Sequence, residues 1–319
     1  MIRRSVKRRD VILTVTPNTA LDKVLFVEGF AFGETVRAQR VADGMGGKGA
    51  VTSWVLGQLG TPSLATGFAA GETGRRMEAV LRAAGVVTDF LWVGGETRTN
   101  YVLARVADGT QGTVTVSGLE LAPEDPARLR AHVEALLPDA ALLLCGGSLP
   151  PGMPVDWYAP LIERARDLAI PTLLDVSDQF LAPNVAACPT MIKPNGAEAS
   201  RLLGRPIHSV EEAARGADEL ARRGIETVVI TLGERGAVAA TKEGLYHVPP
   251  VPVRVVNTAG AGDALNAGLI QARLRGEGWA EALRWAAAVA TAVLLTPGTG
   301  EVRPDDVQAL YPRVSVVRL

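Results

Sequence analysis

The sequence predicts an α/β protein built on a mostly parallel sheet, with a small antiparallel sheet set outside it. Two observations point to the main sheet. Short apolar, β-branched runs recur at 11–15, 140–145, 172–175, 190–193 and 227–231. Their apolar character is continuous rather than alternating, as in strands buried on both faces. Helical patterns lie between them, at 74–84, 124–137, 155–168 and 210–223. Strands separated by helices pair in parallel with helices covering both faces. A third observation points to the small sheet. Segments 24–41 and 98–117 are strand-like and have no helix within them, and in the second the runs 100–106 and 113–116 flank an Asp108-Gly109 hairpin turn. An open sheet edge needs cover, so these segments read either as a lid or as a clasp between two copies.

A length of 319 residues fits two domains at ~150 residues each. No composition shift or linker divides the chain, however. The expectation is a basic arm at 1–10 followed by one domain, 11–319, that carries both lid segments.

The 47% hydrophobic and 21% charged composition excludes a disordered chain or a coiled coil. The formal net charge is −1, from 33 Lys and Arg against 34 Asp and Glu. That balance argues against a nucleic-acid binder or a membrane-surface protein. No apolar run reaches the ~20 residues of a membrane span, and the basic start lacks a signal peptide's apolar stretch. A cytoplasmic location is expected. Cys145 and Cys188 are expected to be small buried hydrophobes, and two cysteines exclude a disulfide framework. His132, His208 and His247 stand singly, with neither metal-ligand spacing nor a Cys/His nucleophile pair. One number is out of line: 34 glycines, where average usage would give ~22.

The densest glycine cluster is Gly44-Met-Gly-Gly-Lys-Gly49. It matches the dinucleotide fingerprint formally, but residues 37–43 before it are polar and do not read as a buried strand. The phosphate-binding P-loop fails too, because Gly49 follows Lys48 where Ser or Thr is required. Two readings stay open: a structural glycine turn, or a loop that brings exposed amides and one ammonium to an anionic or polyhydroxyl ligand at a helix start near 50–59. The second cluster is Val255-Val-Asn-Thr-Ala-Gly-Ala-Gly-Asp263. Here small residues open a helix near 263–275, leaving bare amides suited to an oxyanion or phosphate. Asp263 reads either as a helix cap or as a base for a hydroxyl beside that anion hole.

Gly-Gly-Lys-Gly at 46–49 and Gly-Ala-Gly-Asp at 260–263, in this order and spacing, resemble the PfkB-type branch of the ribokinase-like sugar kinases. The similarity runs from residue 11 to about 306. Within that family, Thr16-Pro-Asn-Thr-Ala-Leu-Asp22, Gly95–Asn100, Gly147–Gly152, Lys193–Glu198, Val256–Gly260 and Thr296–Gly300 resemble the 1-phosphofructokinase and tagatose-6-phosphate kinase type. The resemblance implies a ribokinase-like three-layer α/β/α core with a small antiparallel β lid. It also implies ATP and Mg²⁺ as cofactors, a sugar phosphate as partner, and a possible homodimer through the lid.

Roles follow from the resemblance residue by residue. Asp22 would bind sugar hydroxyls, and Gly46, Gly47 and Lys48 would meet the sugar or its phosphate. Arg98 and Asn100 would clamp the resident phosphate, with help from Ser148. Lys193, Asn195, Thr231, Gly233, Gly236, Thr258 and Gly298 would serve the nucleotide, Gly298 in a segment bordering adenine. Glu198 would act on Mg²⁺ through water. Asp263 would take the proton of the acceptor hydroxyl while the turn of Gly260, Ala261 and Gly262 offsets the transferred charge. One position departs from the family: Val51 stands where Asn is usual, and Val offers no hydrogen bond to a sugar. The leading expectation is an ATP-dependent kinase converting fructose 1-phosphate to fructose 1,6-bisphosphate, with tagatose 6-phosphate as runner-up acceptor. The rival readings are an NAD-dependent oxidoreductase using 44–49 and a non-catalytic sugar-phosphate sensor.

Overall fold

A computed structural model describes residues 11–319; the basic arm at 1–10 lies outside them. The main sheet runs in the order Val317–Arg318, Gly244–Val248, Ala237–Thr241, Thr227–Thr231, Met191–Ile192, Thr172–Asp175, Ala140–Gly146, Val11–Thr16, Ser63–Ala69 and Val87–Thr88. Pairings from Thr227–Thr231 through Val87–Thr88 are parallel, and the three at the other edge are antiparallel.

Continuous apolarity in the strands has a direct structural counterpart. Leu144, Leu173, Met191 and Val229 pack into one core, while their chain neighbours Leu143, Leu174, Ile192 and Val228 pack into the other. Helices Lys48–Gln58, Gly71–Ala83, Ala261–Leu274 and Trp279–Val293 close the first core, and Asp125–Leu136, Ala159–Asp167 and Val210–Arg222 close the second. The result is three layers. No helix among the described residues is long and apolar enough to cross a membrane.

The sequence pattern missed several elements. Strand Ser63–Ala69, the hairpin Ala237–Thr241 with Gly244–Val248, and helix Trp279–Val293 had no place in the expected alternation. Cys188 corrects another expectation, for it is exposed and only Cys145 is buried. Cys188 sits at φ 54° in the turn after helix Asp178–Val185, its amide donating to Val185 O at 2.9 Å. A turn between a helix and a strand lies at the surface whatever its residue type.

The second sheet has four strands, in the order Arg40–Gly46, Ala20–Val27, Arg98–Arg105 and Gln111–Val114. Its outer pairings are antiparallel, and the central one, Ala20–Val27 with Arg98–Arg105, is parallel. The expected lid segment 24–41 is therefore two strands joined by an irregular exposed stretch at 28–39. Residues 40–46 form a strand, although 37–43 read as polar and not as a buried strand. One face of this sheet looks to solvent, so a test for strands buried on both faces passes over it. That strand belongs to an antiparallel pair and opens no βαβ unit, which keeps the dinucleotide reading disfavoured. Val24, Phe26, Val102 and Ala104 on the inner face pack with Val256 and Ala259 of the body.

Helices Ala261–Leu274 and Trp279–Val293 meet at Gly268, where an added Cβ would come within 2.5 Å of Ala286 Cα. Gly→Ala in a helix interior ordinarily stabilises by roughly 0.5–1 kcal/mol. At Gly268 the sign is expected to reverse: Gly268→Ala should cost about 1–3 kcal/mol through overpacking against backbone, read as a lowered midpoint in urea. A raised midpoint would show that the helices do not meet as described.

Candidate active site

The ends of the parallel strands determine where chemistry can occur. Val15 pairs with Cys145, Gly146 with Asp175, and Leu174 with Ile192, so the loops after these strands gather along one edge. Open α/β sheets place their ligands at this carboxyl edge. Two helices open beside it from left-handed glycines, Gly47 at φ 82° before Lys48–Gln58 and Gly260 at φ 86° before Ala261–Leu274. A Cβ at Gly260 would press within 2.5 Å of Gly300 N. The Thr52 hydroxyl joins the helices, donating to Lys48 O at 3.0 Å and to Asp263 O at 3.3 Å. Amides in the first turn of each helix have no partner inside it, so two positive ends converge.

At the centre lies a residue that motif reading did not single out. Asp175 ends the strand Thr172–Asp175 and is 1% exposed. Its Oδ1 is 2.6 Å from Lys48 Nζ and its Oδ2 is 2.9 Å from Lys193 Nζ. Asn266 Nδ2 donates to Oδ2 at 2.7 Å. Burial opposes the Asp175 charge, yet the two lysines outweigh it and hold the carboxyl below the usual range. Burial likewise opposes the Lys48 charge, and Asp175 and Glu198 overcome it, holding this ammonium above its ordinary value. The sequence did carry a signal: an apolar buried strand that ends in a carboxylate at the ligand-bearing edge.

Asp263 sits in the first turn of its helix and faces this cluster. Burial and then the Asp175 charge push its carboxyl up to about 7, against Lys193 and Lys48. Around it lie Gly260, Ala261 and Gly262, and a Cβ at Gly262 would come 3.2 Å from Lys193 Nζ.

The lid brings the other expected acceptor groups together. Asp22 and Asn100 are paired across the parallel strands, and Asn100 Nδ2 donates to Asp22 Oδ1 at 2.9 Å. Burial raises the Asp22 carboxyl to about 6, opposed by Asn100, Thr299 and Arg98. Gly46 lies so close that any Cβ would collide with the Asp22 carboxylate. Arg98 donates from Nη2 to Asn18 O at 3.3 Å, and Asn18 Nδ2 donates to Ser148 Oγ at 3.1 Å. Arg98 Nε and Asn100 Oδ1 are buried without protein partners among the described residues. A cavity of about 370 Å³ opens there, bounded in part by Asn18, Arg98, Ser117 and Leu149. Val51, in contrast, is buried against Gly300.

Asn195, Thr231 and Gly233 border an open groove of about 800 Å³. Gly236 closes the turn beside it, accepting at its carbonyl from Leu232 N at 2.8 Å. Glu198 caps its own helix: Oε2 accepts from Asn195 N at 2.9 Å, and Oε1 stands 3.7 Å from Lys48 Nζ. Gly298 lies against Asp43 O of the lid strand Arg40–Gly46, and Thr258 donates its hydroxyl to Gln111 Oε1. Among the described residues there is no group of three or more His, Cys, Asp or Glu able to hold a metal. The donors present suit a hydrated Mg²⁺ held largely by a ligand's phosphates, with Glu198 Oε1 as the chain's own oxygen toward it.

The fold is a three-layer α/β one of the ribokinase-like class. The sequence matches the pfkB family carbohydrate kinases over residues 15–306, and the chain belongs to that family. Among solved structures it is similar to phosphofructokinase-2 from Escherichia coli in complex with substrates and products, with a TM-score of 0.87 and 26% identity over 95% of this chain and 98% of that one. A possible 1-phosphofructokinase from Thermotoga maritima shares the fold at TM-score 0.86 and 24% identity, covering 97% and 99% of the two chains. Arabidopsis thaliana ribokinase, solved with ribose and ATP, shares it at TM-score 0.73 and 21% identity over 95% and 99%.

Proposed function

We propose that this chain transfers the γ-phosphoryl group of ATP to a hydroxyl of a ketohexose phosphate, with fructose 1-phosphate giving fructose 1,6-bisphosphate as the leading reaction. The observation that carries the reading is the position of Asp263. It stands at a helix N-terminus beside two lysines, on the same edge as the Asp22–Asn100 pair and Arg98. Asp22 accepts hydrogen bonds from sugar hydroxyls, which suits a carboxylate. The Arg98 guanidinium, with its unpaired Nε, takes the resident phosphate together with Asn100 and Ser148. Asp263 removes the proton of the attacking hydroxyl as its oxygen bonds to phosphorus. First-turn amides from 260–263, with Lys48 and Lys193, offset charge on the group in transit. Asn195, Thr231 and Gly233 border the groove that takes the nucleotide. Bound Mg²⁺ neutralises phosphate charge in such a site.

A second acceptor is favoured by one comparison: the E. coli relative was also solved in complex with fructose-6-phosphate. An ADP-release screen across fructose 1-phosphate, fructose 6-phosphate, tagatose 6-phosphate and unphosphorylated sugars decides among them. The leading reading predicts the highest kcat/KM for fructose 1-phosphate. ADP release that no sugar or sugar phosphate stimulates would defeat the kinase reading.

Asp263 must be ionised to accept a proton, and its carboxyl is raised to about 7. Activity should therefore fall roughly tenfold per pH unit below that point and level off above it. Asp263→Asn should lower kcat by about 10²–10⁴-fold with ATP still bound, as read by turnover and nucleotide titration. Unchanged turnover in that variant contradicts the role.

The solvent face of the lid supports a homodimer. Val41, Tyr101 and Val114 are exposed there, beside half-buried Leu25 and Leu103, and the E. coli relative has a tetrameric inhibited form. Sedimentation should give a dimer that Leu103→Asp dissociates; a monomeric parent chain would rule out the pairing.

A further inference from the structure

Gln111 joins the lid to the body through polar contacts in which the roles above give it no part. Gln111 opens the last lid strand, Gln111–Val114. Its Nε2 donates to Asn257 Oδ1 at 2.8 Å, and its Oε1 accepts from Thr258 Oγ1 at 2.8 Å. The partners lie 146 and 147 residues away in sequence. They occupy the turn that leads directly into Gly260 and Asp263.

Asn257 has no freedom to adjust. It is completely buried; its Nδ2 donates to Pro297 O at 3.0 Å, and its Oδ1 accepts from Ala259 N at 2.9 Å. The amide therefore presents only oxygen toward the lid, and Gln111 answers with its NH₂ group. From below, Val256 N is held by Leu294 O at 2.7 Å. From above, Val256 and Ala259 pack under Val24, Phe26, Val102 and Ala104 of the lid. Turn 256–259 is thus clamped between the lid and the end of helix Trp279–Val293. Removing the upper contact takes one of two hydrogen bonds from Asn257 Oδ1, leaving Ala259 N as its donor, and frees the turn from the lid.

We propose that Gln111 is a positioning residue for phosphoryl transfer: by bonding Asn257 and Thr258 it makes seating of the lid and shaping of the 260–263 anion cradle a single event. The inference rests on the kinase reading and deepens it. The lid strands carry Asp22, Arg98 and Asn100, so the same motion that encloses the acceptor also sets the amides that receive the phosphoryl group. Coupling of this kind keeps the cradle from acting on water while the acceptor site is open.

The test compares Gln111→Ala and Gln111→Glu with the parent chain. Gln111 is only partly buried, and both variants are checked by thermal melting. Gln111→Glu keeps the length and the acceptor for Thr258 but sets a carboxylate against Asn257 Oδ1, so it should be no better than Ala. A role in packing alone would tolerate it. In both variants kcat should fall about tenfold or more, as loss of the hydrogen bonds that hold the turn in the transition state implies, with a smaller change in KM for the sugar phosphate. ADP formed per sugar phosphorylated should rise above the parent's value. Hydrogen exchange without any ligand should quicken across 256–263 in Gln111→Ala, and reciprocally across 106–116 in Thr258→Val. Unchanged exchange at 256–263, or an unchanged kcat in the folded variants, overturns the proposal. A parent chain with no phosphotransfer defeats the kinase reading instead, and the exchange comparison still decides whether Gln111 holds the turn.

Discussion

Asp175 is a carboxylate sealed inside the protein with a lysine on either oxygen, and the arrangement of the catalytic edge depends on it. Lys48 opens the helix that follows the lid strand Arg40–Gly46, and Lys193 comes from the loop after Met191–Ile192. Asn266 comes from the helix that bears Asp263. One carboxylate thereby fixes three separate segments relative to each other. Burying such a group is costly, and a packed apolar cluster would hold the fold at least as well. What an apolar cluster cannot supply is a fixed pair of ammonium groups and a negative charge beside Asp263. Burial first, and then this charge, raise the proton affinity of that carboxyl. The same buried carboxylate thus adds to the rise at Asp263 and fixes two lysines beside it.

The sheet makes this arrangement possible. Because strands Val11–Thr16, Ala140–Gly146, Thr172–Asp175 and Met191–Ile192 run in parallel, their following loops share one edge. Helix N-termini at Gly47 and Gly260 add fixed positive dipole ends to that edge. Phosphate recognition can then rely on a few placed cations and on backbone amides, which is how a chain of net charge −1 can serve a highly charged substrate. The lid completes the enclosure from outside the sheet, and its own small core rests on the turn before Gly260.

Continuous apolar strands and the two glycine loops were legible in the sequence because each is a local pattern with a single physical cause. Strand Arg40–Gly46 was not, since a strand with one wet face lacks that pattern. Asp175 could be read as the end of a strand but not as the centre of the site. Its partners lie 127 residues before it, at Lys48, and 18 after it, at Lys193. Gln111 reads as an ordinary polar residue in a hairpin until the fold sets it against Asn257 and Thr258. Val51 shows the reverse case. Its sequence position suggested a lost sugar contact, whereas its side chain is packed in the core against Gly300. Cys188 is exposed because a turn, not its side chain, decides its place.

Beyond the effect of burial, the Asp175 charge tunes Asp263. The acid limb of the pH–rate profile, measured in the parent chain and in Asp175→Asn, reads this tuning. Removing a negative charge beside Asp263 makes its ionised form less costly, and Lys48 and Lys193 still favour that form. A limb near pH 7 in the parent should move to lower pH in the variant, whatever the loss in maximal rate. A limb that stays in place, or moves upward, would contradict it.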